Sequence, residues 1–176
     1  MDTNRNKYVY FKSNIEADEN SKNNKVILEL FNKNLPFTCY NFYKISLWEK
    51  NEEGTSLTYK GNLIHGISKN SFIQGGDIQI KGPKSIYVNN FIDENYNFKL
   101  NTKGIFGMFK KVNRKHSNEC QFYITLYPLK SFDGIFVAFG KVIQGYDIIE
   151  KILEMNAHLQ RPVKQISISN CGEFIV

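Results

Sequence analysis

The 176-residue sequence has no Cys-x-x-Cys pair, and none of its three histidines stands at the spacing of a zinc ligand. Its three cysteines, Cys39, Cys120 and Cys171, are odd in number and far apart. A disulfide scaffold needs paired cysteines and a structural zinc site needs clustered ligands. The pattern therefore argues against both, and it favours a reducing compartment.

Long apolar segments are also lacking. No run of about 18 apolar residues occurs, which is the length that a membrane-spanning helix needs. Residues 1–7 have no apolar signal-peptide core. We therefore expect no membrane association and a cytoplasmic protein, or a nuclear one by diffusion. A fragment cut from a larger protein would look the same.

The chain is basic, with a net charge of +6 and a pI of about 9.1. Its lysines are scattered among asparagines rather than massed, so we do not expect a nucleic-acid partner. One local cluster, Lys110-Lys111 with Arg114-Lys115, is best interpreted as a solvated loop. The alternative interpretation of that cluster is contact with an acidic partner or with nucleic acid.

A chain of 176 residues suits a single domain spanning 1–176, and its 14 Phe and 10 Tyr indicate an aromatic-rich core. Runs of β-branched and aromatic residues predict eight short strands. They lie at residues 9–11, 25–30, 63–67, 72–74, 104–108, 121–125, 136–142 and 165–171. Polar stretches predict loops at 16–24 and 49–56, and Gly-containing turns at 75–77, 81–83 and 133–134.

Two helices are predicted. The first begins at Asn34-Leu35-Pro36, with Asn34 as its cap, and buries a stripe of Phe37, Tyr40, Phe42 and Ile45. The second covers residues 147–155, with Asp147 as its cap. Its buried stripe is Ile148, Ile149, Ile152 and Leu153. Many short strands with two helices predict a closed β-barrel whose ends the helices plug.

Six sequence blocks identify a family. They are Glu29-Leu30-Phe31 with Pro36-Phe37-Thr38 and Asn41-Phe42; Tyr59-Lys60-Gly61 with His65; Ile73-Gln74-Gly75-Gly76-Asp77; Lys84-Ser85-Ile86-Tyr87 with Phe91 and Asp93-Glu94-Asn95; Gln121-Phe122-Tyr123-Ile124-Thr125; and Asp133-Gly134 with Phe139-Gly140-Lys141-Val142. In this order, over residues 9–172, they resemble the cyclophilin family of peptidyl-prolyl cis-trans isomerases. The segment 114–126 is similar to a divergent branch of that family.

The resemblance implies an eight-stranded antiparallel barrel capped by two helices, with an outer groove that binds proline-containing segments in protein folding. Rotation about an X-Pro bond meets a barrier of about 20 kcal/mol. The catalyst binds the twisted amide more tightly than the planar one. It needs no nucleophile, metal or cofactor.

Site residues follow from the same resemblance. The proline pocket is expected from four side chains: Ser71, Phe72, Tyr123 and Phe132. Gln74, which we assign as catalytic, and Gln121 grip the peptide backbone. The main chain of Phe109-Lys110 does the same, and the large Phe109 crowds the neighbouring pocket for residues before proline. The loop 111–119 is about two residues longer than usual. His65 either contacts substrate or is a wall residue.

Gly66 occupies the position where the family has its catalytic arginine. That guanidinium donates towards the proline nitrogen, and losing such a donor costs about 10²–10³ in rate. No arginine lies between Arg5 and Arg114. Lys69, Lys110 and Arg114 are the candidate substitutes.

Two further groove positions differ from the family. Ser131 replaces a tryptophan and Phe136 replaces a histidine. Since the tryptophan position anchors cyclosporin, we expect weak or no cyclosporin binding.

Three hypotheses remain open: a monomeric prolyl isomerase with reduced activity, a proline-segment binding module without catalysis, and a scaffold whose surface includes residues 49–56 or 110–116.

Overall fold

The computed structural model describes residues 5–15, 25–47, 54, 56–78 and 85–176. The loop predicted at 16–24, most of the one predicted at 49–56, and the turn at 81–83 lie outside the described residues. The described part is mostly β, with two helices.

Eight strands form one antiparallel sheet. In chain order they are β1 (Lys7–Ser13), β2 (Lys25–Leu30), β3 (Ile64–Ser68), β4 (Phe72–Gly75), β5 (Ile105–Met108), β6 (Phe122–Thr125), β7 (Ala138–Gln144) and β10 (Ile168–Glu173). The two strands between β7 and β10, which are β8 and β9, form a separate sheet. Their order in the sheet is β10-β1-β2-β7-β5-β6-β4-β3. The helices are α1 (Pro36–Ser46) and α2 (Tyr146–Glu154). All eight predicted strands and both predicted helices are therefore present, with ends shifted by up to three residues.

The sheet is a half-barrel, so the predicted closed barrel is not what the structure shows. Its edge strands, β3 and β10, approach each other through a few contacts. Ile64 N–H donates to Ile166 O at 2.9 Å, and Ile168 N–H donates to Asn62 O at 2.8 Å. Among the described residues these bonds form an isolated bridge, Leu63 to Ser167, and not a ladder between the two strands. The seam is short because β10 begins at Ile168.

An element that the sequence did not predict precedes β10. Residues Ala157–His158 (β8) and Arg161–Pro162 (β9) form a two-stranded hairpin. It lies beside β3, where Ile67 N–H donates to Gln160 O at 2.7 Å. The hairpin thus occupies space along the edge strand that carries Gly66.

The first helix does not begin with the predicted Asn34 cap. Leu35 is at the N-cap position, and Asn34 lies in the preceding turn. The helix is capped instead by Glu94, whose carboxylate accepts from Phe37 N–H at 3.1 Å and Thr38 N–H at 2.6 Å. A carboxylate at a helix N-terminus satisfies free N–H groups and complements the helix dipole.

The buried stripe of α1 is also partly different. Phe42 and Ile45 are buried as predicted, and Tyr40 is partly buried. Phe37 is 58% exposed, which contradicts the prediction. It lies in the first turn, outside the core, where its ring packs edge-on against Tyr87 at 6.4 Å between centroids.

The second helix begins at Tyr146 after Gly145, so Asp147 lies in its first turn rather than at the cap. Gly145 has φ 91°, and a Cβ there would collide with the carbonyl oxygen of Lys25. The predicted stripe holds: Ile148, Ile149 and Ile152 are buried and Leu153 is partly buried.

The core is rich in aromatic residues, as the composition predicted. Phe42 of α1 lies at its centre, with ring centroids 4.8–5.9 Å from those of five others. These neighbours are Phe11, Tyr59, Phe106, Phe122 and Phe139. On β6, successive side chains alternate between the two faces of the sheet. Phe122 and Ile124 therefore join this core, while Tyr123 joins a separate cluster on the opposite face.

Candidate functional site

Gly66 and Gln74 face each other across β3 and β4. A Cβ built on Gly66 would lie 3.0 Å from Gln74 Cβ and 3.2 Å from Gln74 Oε1. Directly opposed residues of an antiparallel pair normally have Cβ atoms about 4.5–5.5 Å apart. The Gln74 side chain therefore lies across the place where a side chain at position 66 would begin.

A chain of amide hydrogen bonds runs from Gln74 across the strands. Gln74 Nε2 donates to Gln121 Oε1 at 2.9 Å. Gln121 Nε2 donates in turn to Asp77 Oδ1 at 3.1 Å. The structure thus brings together the two glutamines predicted to grip a peptide backbone. It also adds Asp77, for which the sequence predicted only a turn.

Beside these glutamines lies the outer aromatic cluster, defined by Phe72, Phe109, Tyr123, Phe132 and Phe136. Ring centroids within it are 4.7–6.5 Å apart, and the rings of Phe109 and Phe136 stack at 5.9 Å. Tyr123 and Phe136 are buried, whereas Phe72, Phe109 and Phe132 are partly exposed. The cluster thus has three partly exposed rings at its surface and two buried rings beneath them.

Ser71 is the fourth predicted pocket residue, and it is partly exposed. It lies in the turn between β3 and β4, where its N–H donates to Ser68 O and its carbonyl accepts from Leu126 N–H, both at 2.8 Å.

The hydroxyl of Tyr123 is buried and has no hydrogen-bond partner among the residues that the structure describes. Burial, with a smaller contribution from the nearby charge of Asp133, raises the pKa of this phenol well above its usual value. The ring is accommodated by Gly107, its cross-strand partner on β5, where a Cβ would collide with the hydroxyl. The sequence reasoning missed Gly107, although a glycine inside a strand often marks such a close approach.

Lys110 does not face the groove. Its ammonium group is buried and binds both carboxylate oxygens of Asp93 at 2.5 Å. This position excludes Lys110 as a substitute for the missing arginine. In the backbone alongside it, Phe109 N–H donates to Gln121 O at 2.8 Å.

Asp93 is the centre of a buried polar network. It also accepts from His116 N–H and from Asn118 Nδ2, each at 2.9 Å. Burial alone would raise the pKa of Asp93, but these hydrogen bonds and the one from Lys110 hold it below its usual value. The side chain of His116 is about half exposed, and its Nδ1 accepts from Asp93 N–H at 3.1 Å.

A cavity of about 370 Å³ adjoins Phe109 and Gln121. The residues around it are Asn90, Phe109, Lys110, Lys111, Arg114, Ser117, Glu119 and Gln121. It therefore shares three residues with the predicted groove, Phe109, Lys110 and Gln121, and is bordered by the basic loop that follows β5.

His65 lies elsewhere. It lines a cavity of about 420 Å³ together with Asp77, Arg161 and Pro162. Its Nδ1 is buried and makes no hydrogen bond within the described part of the chain. Among the predicted site residues, His65 is thus the one that faces the β8–β9 hairpin instead of the aromatic cluster.

The described residues contain no group of three or more side chains that could hold a metal ion. Neither described helix is long and apolar enough to cross a bilayer.

Comparison with known proteins agrees with the fold and the motifs. The chain matches the model of cyclophilin type peptidyl-prolyl cis-trans isomerases over residues 14–173. It is 35% identical over 155 residues to the probable inactive peptidyl-prolyl cis-trans isomerase-like 6 of Bos taurus, covering 85% of this chain and 50% of that protein. It is 36% identical over 179 residues to peptidyl-prolyl cis-trans isomerase cyp11 of Rhizopus delemar, covering 97% and 51%.

A third relative is the NK-tumor recognition protein of Homo sapiens, 37% identical over 156 residues, which cover 84% of this chain and 10% of that protein. The chain belongs to the cyclophilin-type peptidyl-prolyl cis-trans isomerase family, as the sequence blocks predicted. It spans about half, or less, of the length of these relatives.

Proposed function

We propose that this chain binds proline-containing segments and isomerises X-Pro bonds slowly, as a cyclophilin domain with reduced activity. The observation that carries the proposal is the pairing of Gly66 with Gln74. Gly66 offers no side-chain donor to a twisted amide. Gln74 turns its amide towards Gln121, to which Nε2 donates, and an uncharged amide is a weaker donor than a guanidinium.

Binding is supported by the outer aromatic cluster. Phe72, Phe109 and Phe132 present partly exposed rings side by side, on which a proline ring can pack. Because Tyr123 and Phe136 fill the space beneath, proline would lie on this surface rather than in a deep pocket. Contacts that are equally strong for planar and twisted amides increase the affinity for the segment but do not increase the rate of isomerisation.

We also propose the finer features that the family resemblance implies. Residues 1–176 form one domain, which acts as a monomer in the cytoplasm or nucleus. The half-barrel closes at the seam between β3 and β10, supported by the hydrogen bonds of Ile64 and Ile168 across it. Partners are proteins with exposed proline segments, and the activity serves their folding.

A second candidate is a proline-binding module without catalysis. One relative is named a probable inactive isomerase, and it covers most of this chain. A scaffold that does not use the groove is the third possibility, in which the binding surface lies elsewhere.

Two measurements on one proline-containing peptide separate these functions. NMR exchange spectroscopy gives the catalysed isomerisation rate, and a titration followed by backbone amide shifts gives binding at Phe72, Phe109 and Gln121. We expect binding together with a rate about 10²–10³ below that of an arginine-bearing cyclophilin. Binding without exchange would indicate the inactive module, and neither binding nor exchange would indicate the scaffold. A rate equal to that of the arginine-bearing enzyme would refute reduced activity.

A further inference from the structure

The cavity beside Phe109 is bordered by a loop that one buried carboxylate holds at both ends. Asp93 binds Lys110 at the start of the loop, and His116 N–H and Asn118 Nδ2 at its end. The side chains of Lys110 and Asp93 are 2% and 0% exposed, respectively. A charge pair that is this well buried fixes the backbone around it, because opening it would leave a charge uncompensated.

Within this loop, a turn brings two cations to the cavity. Arg114 N–H donates to Lys111 O at 2.9 Å, and Ser117 Oγ donates to Arg114 O at 2.8 Å. Lys111 and Arg114 both line the cavity, although the residues between them do not. The loop thus places these two side chains on its cavity side.

The charges around the cavity do not balance. Lys110 is neutralised by Asp93, whereas Lys111 and Arg114 pair with no carboxylate in the described ranges. Glu119 is the single carboxylate among the lining residues. Two cations against one carboxylate, in a concave site with Phe109 as an apolar wall, favour an anionic guest.

We propose that this cavity selects an anionic side chain, a carboxylate or a phosphate, two residues before the proline of the bound segment. Lys111 and Arg114 are its specificity-determining residues. This inference rests on the proposed proline-binding function. Phe109 belongs to the aromatic cluster and also lines the cavity, so the two subsites adjoin. In an extended segment, side chains two residues apart point the same way, about 6–7 Å along the chain.

The test uses peptides that differ only at the second residue before proline: glutamate, phosphoserine, alanine or lysine. Dissociation constants are measured by NMR titration with the full chain. We expect the glutamate peptide to bind about fivefold more tightly than the alanine peptide, near the upper limit for an exposed ion pair. The phosphoserine peptide, with about twice the charge, should bind still more tightly if phosphate is the natural guest, and equally if a carboxylate suffices.

Variants of the loop make the test specific. Replacing both cations, Lys111→Gln with Arg114→Gln, should abolish the preference for anionic peptides, so that the glutamate and alanine peptides bind the double variant with equal affinity. Lys115→Gln is the matched control, since Lys115 is exposed in the same loop but does not line the cavity. Glu119→Gln should strengthen the preference.

The anionic subsite and the proline-binding function can be refuted separately. Equal affinity for the alanine and glutamate peptides would overturn the anionic subsite and leave proline binding intact. Binding of none of the four peptides would overturn both. Anion preference that survives the double variant but is lost in Lys115→Gln would also contradict the assignment of Lys111 and Arg114.

Discussion

Gln74 lies directly against Gly66, with its Cβ 3.0 Å from the point where any side chain at position 66 would begin. Gln74 therefore occupies space beside Gly66 that the side chain of an arginine at this position would need. Gln74 covers the glycine and turns its amide towards Gln121. Any attempt to restore the arginine has to move Gln74 by a few tenths of an ångström.

The unpartnered hydroxyl of Tyr123 makes a prediction about stability. Leaving a buried polar group without a hydrogen bond costs about 1–3 kcal/mol. Tyr123→Phe should therefore raise the free energy of unfolding, by about 1 kcal/mol, in urea denaturation. Tyr59→Phe is the matched control, because that fully buried hydroxyl donates to Cys120 O at 2.8 Å. It should destabilise the protein by about 1 kcal/mol. A loss of stability in both variants would show that Tyr123 has a partner.

The Glu94 cap predicts a long-range contribution to α1. Glu94→Gln keeps the shape of the side chain but removes the charge that complements the helix N-terminus. We expect a loss of about 1 kcal/mol in thermal or urea unfolding. Glu154→Gln, at an exposed position in α2, should change stability by less than about 0.5 kcal/mol. Equal effects of the two substitutions would argue against the cap.

The buried pair of Asp93 and Lys110 predicts how stability depends on pH. The pKa of Asp93 is lowered in the folded protein, so the unfolded state binds its proton more readily. The contribution is complete above the unfolded pKa of about 3.9 and is lost as pH falls through the lower folded value. Urea unfolding between pH 6 and pH 2 should follow this course. Asp93→Asn should remove this part of the dependence.

Removing only one member of that pair has a second consequence. Asp93→Asn leaves the Lys110 ammonium buried without its partner and should cost about 3–5 kcal/mol. Adding Lys110→Met removes the stranded charge and should recover most of the loss. If the double variant were as unstable as the single one, the carboxylate rather than the pair would hold the loop.

Cyclosporin binding tests the remodelled groove. Ser131 is exposed in a short 3-10 turn, Lys130–Phe132, and Phe136 is buried in the outer aromatic cluster. Neither offers the ring and donor that the family resemblance implies for the cyclosporin site. We expect affinity far weaker than nanomolar in a fluorescence titration, with improvement in Ser131→Trp. Nanomolar binding by the wild type would contradict this reading of the groove.

The sequence predicted those features that depend on neighbouring residues. The bounds of β2 were right, since a run of β-branched and apolar residues follows the polar stretch that ends at Asn24. The stripe of α2 followed from helical spacing. In contrast, the cap of α1 comes from Glu94, which is more than 50 residues away from the helix. Rules that consider only neighbouring residues therefore predicted Asn34 as the cap.

In the site, too, the features that depend on contacts between distant parts of the chain were not predicted. The family resemblance implied Gln74, Gln121 and the aromatic residues that the structure brings together. They could not show that Lys110 turns inward to Asp93, since such a pairing depends on how two loops pack. Nor did they predict the β8–β9 hairpin. Its turn residues, Leu159 and Gln160, adopt positive φ angles that glycine or asparagine usually signals.

The central claim is that the missing guanidinium at position 66 limits the rate of isomerisation. Its most direct test is the NMR exchange rate of one proline peptide with wild type, Gly66→Arg and Gly66→Ala. Gly66→Ala places the same Cβ against Gln74 without supplying a donor, so it controls for the displacement. The account predicts that Gly66→Arg exceeds both other proteins by at least about tenfold, because a restored donor can contribute about 10²–10³. Equal rates for Gly66→Arg and Gly66→Ala, with peptide binding retained in both, would contradict it.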